Sequence, residues 1–210
     1  MTETLSSTSR ARVRKAPSER GAEIVAAAVA IAREQGLSAI TLRAVAGRAD
    51  VASGLITHYE PSIELLIARA FREIVTVELR ELVELVSRYR NAAEQMRALI
   101  LATLGGGDED ITVVWVEAYA LGRRNEALAH EVRSQMRAWT GFVARIIRNG
   151  QSESSFNVSN PIDSAWQILG MLDGLNAQAL VRQTDALPYV THMTQASEAL
   201  LGARPGTLGS

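Results

Sequence analysis

At 210 residues the chain has room for one mid-sized domain or a small module joined to a larger one, and 47% apolar, 5% aromatic and 21% charged residues with 5 prolines favour a globular, helical protein. Zero cysteines exclude disulfides, zinc-finger ligation and thiol catalysis; no apolar run reaches the ~18 residues of a spanning helix and no signal-peptide pattern opens the chain, so no membrane is expected and the cytoplasm is the default location. The net charge of -1 conceals an asymmetry, +3 over residues 1–59 and -4 over the rest, which suits a protein that meets a polyanion with one end only.

In chain order, residues 1–17 are rich in Ser, Thr and Arg and read as a flexible basic arm, with Arg10, Arg12, Arg14 and Lys15 just ahead of the first periodic segment. Such an arm either drops into a minor groove or stays a solvated tail. From Ser18, placed as a cap, Ile24, Val25, Ala28, Ile31 and Ala32 recur at helical spacing, so a helix is predicted over about 19–35 and ended by Gly36. Thr41 caps a two-turn helix to about Ala49, and a second short helix runs from about Ala52 or Ser53 to Tyr59 before Glu60, Pro61 and Ser62 break the pattern.

Longer helices follow at about 62–88, 91–104, 110–122, 126–149, 161–183 and 186–202. Gly105–Gly107 reads as a hinge, and Asp108-Glu109-Asp110 as a solvated loop ending in a helix cap. No β-branched alternation supports a strand. The expected fold is therefore all-α with about nine helices. The expected domains are the arm (1–17), a three-helix unit (18–61), a helical body (62–204) and a flexible tail (205–210).

Two short helices joined by a tight turn bury little area alone, so they must pack on the first helix. That is the helix-turn-helix arrangement, whose second helix enters the major groove. The string from Gly36 to Leu66, GLSAITLRAVAGRADVASGLITHYEPSIELL, resembles the TetR-family signature, G-x-x-x-x-T-x-x-x-(I/V)-A-x-x-A-G-V-S, a small recognition helix, then F-x-(S/N)-K-(E/D)-x-L. Gly36, Thr41, Val45, Ala46, Ala49, Val51, Ser62, Glu64 and Leu66 fall on it. Three positions depart: Asp50 stands for the turn glycine, Glu60 for the aromatic anchor, and Ile63 for the lysine that opens the next helix.

The resemblance implies a transcription regulator that binds double-stranded operator DNA as a homodimer and is released by a small-molecule effector. It places Arg43, Ala52, Ser53, Gly54, Thr57 and His58 on bases or backbone, with Tyr59 on a phosphate. The chemistry is compatible, since Arg pairs with guanine N7 and O6, Ser, Thr and His reach phosphates or base edges, and Gly54 allows close approach. Segments 165–182 and 186–202 resemble the family's dimerising helix pair, with Gly170, Gly174, Ala177 and Ala179 permitting close approach.

The segment 111–122, ITVVWVEAYALG, is apolar nearly all round and reads as a helix buried in the bundle. It carries Trp115, Glu117 and Tyr119; with Trp139, Phe142, Trp166 and Met171 these are the expected walls of an effector cavity. A carboxylate there needs a partner or an opening, and Glu117 suggests an amphipathic or cationic effector, a neutral hydroxylated metabolite fitting almost as well. Taken singly, each aromatic is core more often than cavity wall, so the expectation is for the region more than for any one residue.

No cofactor, metal site or enzymatic activity is expected. His58, His130 and His192 fall in different predicted helices, and no H-E-x-x-H, G-x-S-x-G or Walker motif occurs. The rival to a DNA-binding regulator is a helical module that holds a protein in an apolar groove, which explains the bundle but not the Gly36–Leu66 string.

Overall fold

The computed structural model describes residues 17–105, 109–182 and 187–209. Among the described residues there are nine α-helices, one short 3-10 turn and no strand. They are α1 (Pro17–Gln35), the turn Leu37–Ala39, α2 (Leu42–Arg48), α3 (Ser53–Tyr59), α4 (Ile63–Val86), α5 (Ala92–Leu104), α6 (Glu109–Gly122), α7 (Glu126–Ser152), α8 (Pro161–Arg182) and α9 (Leu187–Leu200).

Side-chain caps set several of these starts. Thr41, Ser62, Asn91 and Asn125 each sit in extended backbone and accept a hydrogen bond from the amide three residues on, which satisfies one of the free N–H groups of the first turn. Between α2 and α3, Asp50 takes the left-handed conformation, φ +52°, in the turn where the family pattern has glycine. A short polar side chain tolerates that conformation better than most. Val45, Ala46 and Ile56 of the two short helices are buried in the same core cluster as Ile24, Ala28 and Ile31 of α1.

Four boundaries differ from the sequence reading. Helix α1 begins at Pro17, not after a Ser18 cap, because proline's fixed φ and missing N–H suit the first turn. Helix α7 runs through Gly150 to Ser152: a Cβ at Gly150 would lie 2.0 Å from the Phe156 ring, so glycine there makes room for Phe156 instead of ending the helix. Helix α6 takes Glu109 and Asp110 into its first turn, where carboxylates face the positive end of the helix dipole. Residues 205–209, expected as a loose tail, fold back: Leu208 is buried, and the Gly206 and Leu208 amides donate to the buried carboxylate of Glu198 at 3.1 and 2.7 Å. The basic arm up to Ala16, Gly106 to Asp108 and Ser210 lie outside the described residues.

Helix α7 is the centre of the body. It packs on α4, α5, α6 and α8, burying Val132, Trp139, Phe142, Val143, Ile146 and Ile147. Helix α4 joins the two halves, packing on both α1 and α7. Helix α6 touches both α1 and the Leu37–Ala39 turn on one side and α7 and α8 on the other.

Candidate DNA-reading face and effector pocket

The second short helix stands out from the three-helix unit. Ile56 is its buried anchor, whereas Ala52, Ser53, Gly54, Thr57 and His58 are exposed, as is Arg43 on α2. The Thr57 hydroxyl donates to the Gly54 carbonyl at 3.0 Å, and a side chain at Gly54 would meet open space. Tyr59 is half-buried, its ring edge-on to His58 at 5.2 Å and turned towards Gly21 of α1. Arg48, also exposed, is committed to α1 by two bonds to Glu34 at 2.6 and 2.5 Å, and this guanidinium holds the Glu34 carboxyl below its usual range.

The departure at position 60 has its own solution. Glu60 is only 3% exposed and forms an ion pair with Arg69 on α4, so a charged tether stands where the family pattern has an aromatic plug. Arg48 and Arg69 are thus each engaged by a carboxylate of the protein itself.

In the body, α4, α5, α6, α7 and α8 enclose a cavity of about 340 Å3, within the size range of small-molecule sites. Helix α6 gives Trp115, Tyr119, Val116 and Thr112; α7 gives Met136, Trp139 and Thr140; α8 gives Trp166, Gly170, Asp173 and Asn176; α4 gives Glu78 and Glu81. All three tryptophans of the chain lie in this wall. Of the residues expected there, Trp115, Tyr119, Trp139 and Trp166 come together around the cavity. Phe142 faces the core beneath Arg145, and Met171 packs on the neighbouring side of α8; neither lines the cavity.

The polar lining is acidic. Among the described residues it holds three carboxylates, Glu78, Glu81 and Asp173, and no Lys, Arg or His. Trp115 Nε1–H donates to Glu78 at 3.0 Å and the Tyr119 hydroxyl donates to Asp173 at 2.8 Å, so two aromatic rings, 5.7 Å apart, each hold a carboxylate beside them. Burial raises the Asp173 carboxyl, although the Tyr119 hydrogen bond opposes that shift. Burial pushes the Tyr119 phenol up as well, reinforced by the charges of Asp173 and Glu78. The buried Trp139 Nε1–H has no hydrogen-bond partner among the described residues.

Glu117 is not in the cavity. It points from the opposite side of α6 to the turn after α1, where it accepts from the Ser38 amide at 2.8 Å and the Ser38 hydroxyl at 2.9 Å. The periodicity of α6 places Trp115 and Glu117 about 160° apart, but which face meets which neighbour is decided by tertiary packing. Glu78, Glu81 and Asp173 were missed for the same reason: α4 and α8 carry them among many other polar residues.

Residues 24–70 match the family model of bacterial regulatory proteins of the tetR family, and residues 92–202, more than half of the chain, match that of the BetI-type transcriptional repressor C-terminal domain. The chain belongs to the TetR family of transcriptional regulators. Among curated relatives, the HTH-type transcriptional repressor KstR of Rhodococcus jostii is 28% identical over 189 residues, 89% of this chain and 85% of that protein. The regulator BetI of Stenotrophomonas maltophilia is 27% identical over 176 residues, 78% of this chain and 87% of its own. A transcriptional regulator from Saccharomonospora viridis, solved in complex with choline, superposes with TM-score 0.73 at 21% identity, covering 88% of this chain and 96% of that one. The TetR fold accounts for the helix-turn-helix and the body together, which an interaction module did not. No helix among the described residues is long and apolar enough to cross a membrane.

Proposed function

We propose that this TetR-family regulator is a cytoplasmic repressor that binds an inverted-repeat operator in double-stranded DNA as a homodimer and leaves it when an organic cation fills the pocket. The observation that carries the reading is an acidic, aromatic cavity walled by the same helix that touches the DNA-reading unit. Trp, Tyr and carboxylate side chains, with no Lys, Arg or His among the described lining residues, are what a quaternary or protonated amine requires, through cation–π contact and ion pairing. The volume leaves room for an apolar body beyond the charged head, and the choline held by the Saccharomonospora relative is a cation of this class.

The reading face is Arg43 with Ala52, Ser53, Gly54, Thr57, His58 and, through a phosphate, Tyr59. Dimerisation through α8 and α9 is supported by the exposed apolar side chains of α8, Ile162 at 43% and Val181 at 82%, and by open space at Gly174. A two-fold dimer presents two α3 helices about 34–36 Å apart or a multiple of it, hence the inverted repeat.

One experiment tests the reading from both ends. DNA selected from random sequence by the purified protein is titrated with choline, benzyltrimethylammonium and their neutral carbon isosteres while tryptophan emission is followed. The expected result is an inverted-repeat operator, release by a cation, and binding of the isostere at least about tenfold weaker, the equivalent of about 1.4 kcal/mol. Equal binding of the neutral isostere, or selection of single asymmetric half-sites only, counts against it.

A further inference from the structure

Helix α6 has two working sides. Trp115 and Tyr119 face the cavity, and Glu117, about 160° round the helix from each, faces the DNA-reading unit. Seven residues before Glu117, on the same side, Asp110 accepts from Arg33 of α1 at 2.7 Å. One rigid rod is therefore fastened to the three-helix unit at two points about 10 Å apart along its axis.

The fastening at Glu117 is built into the backbone it grips. Its two carboxylate oxygens take both the amide and the hydroxyl of Ser38, and they lie 2.7 Å from where a Cβ of Gly36 would stand. Gly36 has φ +87°, a conformation glycine adopts without strain. Only a residue without a side chain lets the carboxylate reach the turn. From Ser38 the chain passes through Ile40, which closes the 3-10 turn, to Thr41, the cap of α2. A displacement of the turn must move the start of the helix-turn-helix.

We infer that Glu117 is the positioning residue that couples the pocket to the DNA-reading unit. This rests on the effector-released regulator proposed above. A ligand that moves Trp115 and Tyr119 turns or shifts α6, and Glu117 carries the shift to the Gly36–Ser38 turn. Coupling of this kind is reciprocal, so operator DNA disturbs the pocket by the same route.

The test uses the full chain and needs no identified ligand. Because the sequence has no cysteine, Gly47→Cys on α2 and Gly141→Cys on α7, both exposed with open space at the Cβ position, can be spin-labelled and diluted into unlabelled protein. The expected result is one narrow distance distribution with Glu117 present, loss of that narrow peak in E117A, and partial recovery in E117Q, whose amide oxygen still accepts from the Ser38 N–H. S38A, which loses the hydroxyl alone, should fall near the parent.

A second readout separates positioning from simple stabilisation. Selected operator should shift the emission of the three tryptophans, all in the cavity wall, and E117A should lose that shift while its nonspecific DNA affinity is kept. An E117A distance distribution superimposable on the parent, or a parent whose emission ignores the operator, overturns the inference. If E117A does not fold, E117Q against the parent decides by the same two measurements. If no operator is selected at all, the regulator reading fails, while the distance distributions still decide whether Glu117 holds the unit in place.

Discussion

Arg43 and His58 are exposed, so their removal should touch the proposed recognition and not folding. Arg43→Ala and His58→Ala are each expected to weaken operator binding by about 1–3 kcal/mol where a base contact is lost, with thermal melts unchanged. A uniform loss on all sequences would mark a phosphate contact instead. The opposite behaviour is expected at Arg69. Its partner Glu60 is buried, and Arg69→Ala leaves that carboxylate without its counter-charge, a change that should cost about 1–3 kcal/mol in denaturant unfolding, at the low end because Arg69 itself is 42% exposed. The double variant E60M/R69A should recover most of the loss, since an apolar side chain has no charge to desolvate. A double variant no more stable than R69A would show that Glu60 contributes through other contacts.

Among the elements, the helices were legible and their pairings were not. Thr41 and Ser62 could be named as caps from sequence because a cap is a local event, decided within three residues. Gly150 and Glu117 misled for the converse reason. A glycine at a helix end and one under a packed ring look alike in sequence, and a carboxylate on an apolar helix gives no sign of which neighbour receives it. Of the cavity wall, Trp115 and Tyr119 could be anticipated because they sit in the unusually apolar α6, whereas Glu78 and Glu81 lie on the mixed surface of α4. The α4–α7 junction shows how a local signal acquires a tertiary role. Asn125 caps α7 by accepting from the Leu128 amide at 3.0 Å, and its Nδ2 donates to the Glu64 carbonyl in the first turn of α4 at 3.1 Å. Asn125→Asp keeps the cap and loses that donor; Asn125→Ala loses both. The expected order of stability is parent, Asp, Ala, with the Ala variant down by about 1–3 kcal/mol in chemical denaturation. Equal stability of the Asp and Ala variants would mean that the cap contributes little.

At the scale of the whole molecule, the proposed function links DNA binding, effector binding and proton binding through one pocket. Burial raises the Asp173 carboxyl, so the folded protein holds that proton more tightly than the unfolded chain does. The stability this contributes is full below the unfolded-state value and is lost as pH rises through the higher folded-state value, where the pocket must hold a charged Asp173. Tyr119, raised by burial, contributes in the same sense, but its share is lost only in alkali above the ordinary phenol range. A bound cation favours the ionised carboxylate and reverses the balance at Asp173: effector affinity should rise with pH across that window, and binding there should release a proton. Asp173→Asn retains an oxygen to accept from the Tyr119 hydroxyl but cannot ionise. It is expected to remove the Asp173 part of the stability loss on raising pH, to weaken a cationic effector about tenfold or more, and to abolish its pH dependence in that window. Calorimetric titrations with benzyltrimethylammonium in two buffers of different ionisation enthalpy count the protons released. Proton release that persists unchanged in D173N would assign the titrating group elsewhere in the wall. Affinity that does not vary with pH in the parent would mean that the cation sits beyond the reach of Asp173, against Glu78 and Glu81 alone. Since operator release depends on the effector's preference for the non-binding conformer, the same window should appear in the effector concentration needed to free DNA, and D173N should flatten it.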